Sequence, residues 1–170
     1  MRTSAGGVRM MSPEQEIGLS GEIWTAKALG SMGYTVHMPP DFFAECHDLT
    51  VNDKLCVEVK LANQSRMKRQ LKDGPAYYPR WQWSVETVTA KDCVLVLIAV
   101  DHAGIYHPFV MPSVVMAERV HFQINSHPKR YTGFISRFLG AWEVVEFMLN
   151  DNWAEKLDLT IKGLMSDDND

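Results

Sequence analysis

The sequence predicts an α/β domain with a central mixed β-sheet flanked by helices. Three observations carry that expectation. Residues 12–15 read Ser-Pro-Glu-Gln, a helix start with a serine cap, a proline in the first turn and a glutamine at the capping-box position. Residues 93–100, Cys-Val-Leu-Val-Leu-Ile-Ala-Val, form an unbroken apolar run rich in β-branched side chains, which suits a buried central strand. Between them, "HDLTVNDKLCVEVKLA" at residues 47–62 reads as a hairpin. At 170 residues the chain is long enough for one domain with a substantial core. That domain is expected over residues 12–164, with residues 1–11 a flexible lead and residues 165–170 a disordered acidic tail.

The elements follow in order. The first helix is expected from Ser12 to about Gly30–Gly33, with Ile17, Leu19, Ile23, Ala26, Leu29 and Met32 as its apolar stripe. Gly33 releases the chain into a short strand at 34–38, and Pro39-Pro40 lead into the hairpin. Residues 62–79 are polar and basic without a clear period, so a loop or frayed helix is expected there. Residues 81–85 alternate like a strand, and residues 101–104 turn the chain from the central strand into a partner at 105–111. Residues 134–149 and 153–164 read as helices covering other surface of the sheet.

Composition limits the partners. No stretch approaches eighteen uncharged apolar residues, so no membrane span is expected. Three cysteines without metal-type spacing suit reduced thiols in a cytoplasm. Six histidines show no HxxxH-like spacing, so no histidine-based metal site is expected; only His47, beside Asp48, stands near a candidate. The net charge of −4 argues mildly against nucleic acid, but eight acids and two bases fall in the last 28 residues. Two basic clusters stand against that background. One holds Lys60, Arg66, Lys68, Arg69, Lys72 and Arg80; the other holds Arg119, His121, His127, Lys129, Arg130 and Arg137. Each is either an ordinary solvated surface or a place of contact with phosphates.

The hairpin raises the chemical question. Glu58 and Lys60, two positions apart on one strand, must emerge on the same face. If Asn52-Asp53-Lys54 form the loop, Val51 pairs with Leu55, Leu49 with Val57, and Asp48 falls opposite Glu58. A two-residue loop would instead put Asp48 on the other face. Two opposed carboxylates repel unless a cation lies between them, and a divalent metal such as magnesium answers that need with oxygen ligands. The alternative is an exposed ion pair on a half-buried edge strand, because Val57, Val59 and Leu61 load the opposite face.

Taken with the upstream helix, these residues resemble the PD-(D/E)xK nuclease superfamily, and within it the archaeal Holliday junction resolvases and restriction-endonuclease-like proteins. The elements occur in the superfamily's order: Gly21-Glu22 in "GLSGEIWTAKALGSMGYTV", Asp48 in "HDLTV", then Glu58 and Lys60 in "CVEVK". The likeness covers residues 16–62 well, the next fifty in outline and residues 112–170 not at all. His47 stands where the superfamily's name has proline. The resemblance implies a restriction-endonuclease-like core and a Mg2+- or Mn2+-dependent nuclease acting on nucleic acid, with DNA the expected substrate. It implies that Asp48, Glu58 and the Val59 backbone carbonyl ligate the metal, with Glu22 reaching it directly or through water. Lys60 would orient or help deprotonate the attacking water and stabilise transition-state charge. Resolvase-like relatives work as homodimers, so a homodimer is among the expectations. The competing reading is a catalytically inactive nuclease-fold module that binds nucleic acid or a protein.

Weaker candidates remain. Alternation puts Arg80, Gln82 and Ser84 on one face and Trp81, Trp83 and Val85 on the other. As the next strand of the sheet, this segment would aim Gln82 at the metal site; otherwise Gln82 faces solvent. The tryptophans suit a core better than base stacking. Arg66, Lys68, Arg69, Lys72 and Arg80, with Tyr77 and Tyr78, are candidates for nucleic-acid backbone contact.

Overall fold

The structure, a computed structural model, describes residues 11–39, 47–85, 93–116 and 119–150. The helix expected at 153–164, the lead at 1–10 and the acidic tail lie outside the described residues.

Helix α1 spans Pro13–Ser31, and the Ser12 cap forms as expected. The Ser12 hydroxyl accepts from the Gln15 N–H while the Gln15 side chain accepts from the Ser12 N–H, which satisfies two otherwise orphaned donors. Its buried face keeps only part of the expected apolar stripe: Leu29 lies in the core and Ala26 packs against it. Gly21, Glu22, Thr25 and Leu29 are buried, whereas Ile17, Ile23 and Met32 are exposed. Close approach explains the difference. A Cβ placed at Gly21 would stand 3.1 Å from the Leu61 Cβ, so the bare glycine backbone seats the helix against the sheet. Glu22, next in the chain, is carried inward with it.

The main sheet has five strands in the order β1 (Val36–His37), β2 (Leu49–Val51), β3 (Leu55–Asn63), β6 (Cys93–Val100) and β7 (Tyr106–Pro112). Only β3 and β6 run parallel, so the sheet is mixed. All eight residues of β6 are buried, as an unbroken apolar run between two partner strands requires. The hairpin register is the one a three-residue loop dictates: Val51 pairs with Leu55, Thr50 with Cys56 and Leu49 with Val57. Asn52 and Asp53 both take positive φ, 51° and 55°, a conformation that short polar side chains tolerate best. Asn52 also fastens this turn to Thr35, donating its N–H to the Thr35 carbonyl and accepting the Thr35 N–H on its side chain.

Residues 65–84 correct the loop expected at 62–79. They form a second sheet in the order β4 (Ser65–Leu71), β5 (Gly74–Ser84) and β8 (His121–Ile124). The outer part of β4 and β5 is a two-stranded ribbon in which Arg66, Lys68, Arg69 and Tyr77 are exposed. With neither face buried, the ribbon needs no apolar alternation, and its sequence shows none. Lys72 and Asp73 make its turn, which leaves Pro75 and Pro79 at positions whose backbone nitrogens face away from β4. The inner part of β5 turns Trp81 and Trp83 onto the main sheet, where their indole N–H groups donate to the Val100 and Ile98 carbonyls.

The main sheet therefore separates two cores. Val57 and Val59 pack with Val94, Val96 and Leu29 on the α1 side. Leu95, Leu97 and Phe109 pack with Trp81, Trp83 and Ile124 on the other. The helix expected at 134–149 is interrupted: a short 3-10 turn, Ser136–Phe138, precedes α2 (Glu143–Leu149). Gly140 at φ 69° breaks it, and the Gly140 N–H donates instead to Pro108. Among the described residues no helix is long and apolar enough to cross a membrane.

Candidate metal and phosphate site

Glu58 and Lys60 are set by β3, in register with Leu95 and Leu97 of β6. They share a face, as strand alternation demands, and the Lys60 ammonium pairs directly with Glu58 Oε1. Glu58 is buried and Lys60 half-buried. Asp48 stands just before β2. The ladder between β2 and β3 stops at Leu49 and Val57, one pair short of the expected Asp48–Glu58 pairing. The chain bends there. The Asp48 N–H donates to the Val57 carbonyl, and Asp48 Oδ2 accepts the Val59 N–H at 2.7 Å. In a strand the N–H and C=O of one residue leave by the same edge, so the Val59 carbonyl emerges on the edge where the Asp48 carboxylate sits.

Because β2 stops at Leu49, β3 has no strand beside it on that edge from Glu58 onward among the described residues. Glu22 on α1 lies close enough to that gap for Asp48 and Glu58 to act on its charge. Its carboxyl is pushed up to about 7, first by burial and then by repulsion from Asp48 and Glu58. Glu58 is raised by burial and by Asp48, against the pull of Lys60. Asp48 is raised by burial too, although the Val59 N–H and the nearby Lys60 oppose it. Burial, with Glu58 and Cys56 nearby, pushes the Cys93 thiol up to about 12. Three carboxyls, each raised by burial and two of them also by a neighbouring carboxylate, form an oxygen donor set short of positive charge, which suits a hard divalent cation. His47 lies close enough to act on the charges of Asp48 and Glu58, while its Nε2 is 2.9 Å from the Thr50 hydroxyl.

The structure thus brings Glu22, Asp48, Glu58, Lys60 and the Val59 carbonyl edge into one neighbourhood. It does not bring Gln82 there. The alternation of Gln82 with Trp81 and Trp83 is as expected, but β5 belongs to the second sheet. With both tryptophans turned inward, Gln82 is exposed on the outer face, paired in register with Gln123. Arg66, Lys68, Arg69 and Lys72 are exposed along the ribbon and its turn, with Lys68 across from Tyr77; Arg80 lies at its base, half-buried beside Ser65.

A second group of ligating side chains, Asp101, His107 and His127, stands outside this neighbourhood. Histidine spacing along the chain gives no sign of such a group. The three residues come from the turn after β6, from β7 and from the segment after β8, so no local motif could announce them. The Asp101 carboxyl is held down at about 2, chiefly by the His107 hydrogen bond.

No protein-family model matches the sequence, and no curated protein matches it. A solved structure to which the chain is similar is that of a bacterial homing endonuclease, I-Ssp6803I. It aligns with a TM-score of 0.53 at 15% sequence identity, covering 79% of this chain and 93% of that one. The likeness is one of fold: a mixed five-stranded sheet flanked by helices, in a nuclease-like architecture.

Proposed function

We propose that this chain is a metal-dependent nuclease of the PD-(D/E)xK type, hydrolysing phosphodiester bonds of DNA. The convergence of Glu22, Asp48 and Glu58 from α1, the β2 approach and β3, beside Lys60, carries this reading. The endonuclease identity of the structural neighbour supports it. Asp48, Glu58 and the Val59 carbonyl would hold Mg2+ or Mn2+, with Glu22 completing the set directly or through water. When bound, such an ion polarises the scissile phosphate and makes its water more acidic. Lys60 lies on the Glu58 side of the cluster, where its ammonium orients the attacking water and meets charge developing on phosphorus. Water adds to phosphorus, the ester oxygen departs, and the products are a phosphate monoester and a free hydroxyl.

The ribbon supplies the grip. β4 begins five residues after Lys60, on the order of 15 Å along the chain. Its exposed cations offer backbone-phosphate contacts to a nucleic acid whose scissile bond lies at Lys60.

Cleavage of end-labelled single-stranded, duplex and four-way-junction DNA tests the proposal, in Mg2+, Mn2+ or EDTA, with Lys60→Ala beside the wild type. Metal-dependent cutting lost in the variant is expected. DNA binding without cutting by the wild type would favour the inactive binding module instead.

A further inference from the structure

We propose that Asp101, His107 and His127 form a second metal site, taking a divalent transition metal such as Zn2+ and separate from the acid cluster. The three ligand atoms all lie within 4.8 Å of one another. His107 Nε2 is 3.0 Å from Asp101 Oδ2, and His127 Nε2 is 3.8 Å from the same oxygen. The two rings face each other edge to plane, their centroids 5.0 Å apart.

The carboxylate is prepared for this role. Asp101 Oδ1 accepts the N–H groups of Ala103 and Ile105, both at 2.9 Å, which fixes the carboxylate and leaves Oδ2 for the imidazoles. His107 is buried on β7, so its ring has little freedom. Two imidazoles and one carboxylate make a donor set that zinc and its neighbours favour, and one that magnesium does not. Zinc bonds of about 2.0–2.1 Å in tetrahedral array set ligand atoms roughly 3.3 Å apart. Closing the triangle needs movement mainly of His127, which is 38% exposed and carried by the short turn at Pro128–Arg130. One contact opposes that movement. His127 Nδ1 accepts the Lys129 N–H at 3.3 Å, and metal on Nε2 would leave a proton on Nδ1, so this long bond must open. Water completes the coordination on the open side of His127.

Position gives the site its task. Asp101 follows Val100, whereas Lys60 pairs with Leu97, so the two sites are about 13 Å apart along the sheet. His127 follows β8 of the second sheet, and its ring meets Trp81 of β5 edge-on at 6.3 Å. A metal here ties the β6–β7 turn of the main sheet to the second sheet. The site stands independently of the nuclease proposal.

The test uses the full chain stripped with EDTA, titrated with Zn2+ by calorimetry and with Co2+ by its visible d–d absorption, and followed by thermal melting. Three proteins are compared: wild type, His127→Ala, whose half-exposed ring can be removed without opening the core, and Glu58→Gln. One equivalent of Zn2+ is expected to bind wild type and Glu58→Gln alike, with tetrahedral Co2+ absorption and a raised melting midpoint. His127→Ala is expected to bind at least ~10-fold more weakly and to show no rise. No Zn2+ binding by wild type overturns the proposal. So does Zn2+ binding that survives His127→Ala and disappears in Glu58→Gln, which would assign the ion to the acid cluster.

Discussion

The N–H of Val59 points at Asp48 Oδ2 across 2.7 Å, binding the residue before β2 to the strand that carries Glu58 and Lys60. One carboxylate oxygen thereby holds the fold while the other remains for chemistry. Asp48→Ala should leave a buried N–H unsatisfied and lower stability by about 1–2 kcal/mol. Asp48→Asn keeps an acceptor for Val59 and should melt near the wild type. Both should lose the stabilisation that Mg2+ or Mn2+ gives the wild type. Denaturant midpoints with and without metal separate the two effects. An Asp48→Asn protein still stabilised by metal would remove Asp48 from the ligand set.

Glu22 makes the metal-free protein sensitive to alkali. Its folded-state carboxyl sits at about 7 against an ordinary 4.5, so the folded form holds the proton more tightly than the unfolded form. The resulting stability is complete below the ordinary value and is lost as pH rises through about 7. Asp48 and Glu58, also raised, act in the same direction. In EDTA, Glu22→Gln should gain on the order of 1–2 kcal/mol over wild type at pH 8 and little at pH 4. Unfolding curves at both pH values measure this. Equal pH slopes in the two proteins would show that Glu22 is not the source.

Thr25 sits one turn beyond Glu22 on the same buried face, and its hydroxyl has no hydrogen-bond partner among the described residues. Valine has nearly the same shape without the polar group. Thr25→Val should therefore raise stability by roughly 1 kcal/mol. A drop in the melting midpoint would mean that a partner such as bound water satisfies the hydroxyl.

The ribbon can be tested apart from chemistry. Lys68→Ala and Arg69→Ala remove exposed cations and should leave the melting midpoint unchanged. Each should reduce the slope of log binding constant against log salt for duplex DNA by about 0.9. Slopes equal to wild type would return the ribbon to ordinary surface.

What the sequence revealed follows from which elements bury one face. The β2–β3 register was readable because a three-residue loop and the alternation of Val57, Glu58, Val59 and Lys60 agree. The buried run of β6 was readable for a different reason, since burial on both faces leaves eight apolar residues without interruption. The ribbon was not, since solvent on both its faces leaves no pattern to read. Helix α1 was misread in part of its face, because beside Leu29 and Ala26 Gly21 gains by closeness what an apolar stripe gains by area. Asp101, His107 and His127 meet only through tertiary folding, and spacing along the chain carries no trace of that.

The two prolines of the ribbon decide how this protein behaves in a crowd. A protruding pair of strands offers an open row of hydrogen-bonding groups, an invitation to any passing chain to add itself as a further strand. Pro75 and Pro79 interrupt that row on the outer edge of β5, because each removes a donor where a newcomer would need one. The free edge of β5 in the ribbon is thereby closed to an added strand, while along β4 the exposed Arg66, Lys68 and Arg69 set like charges against one.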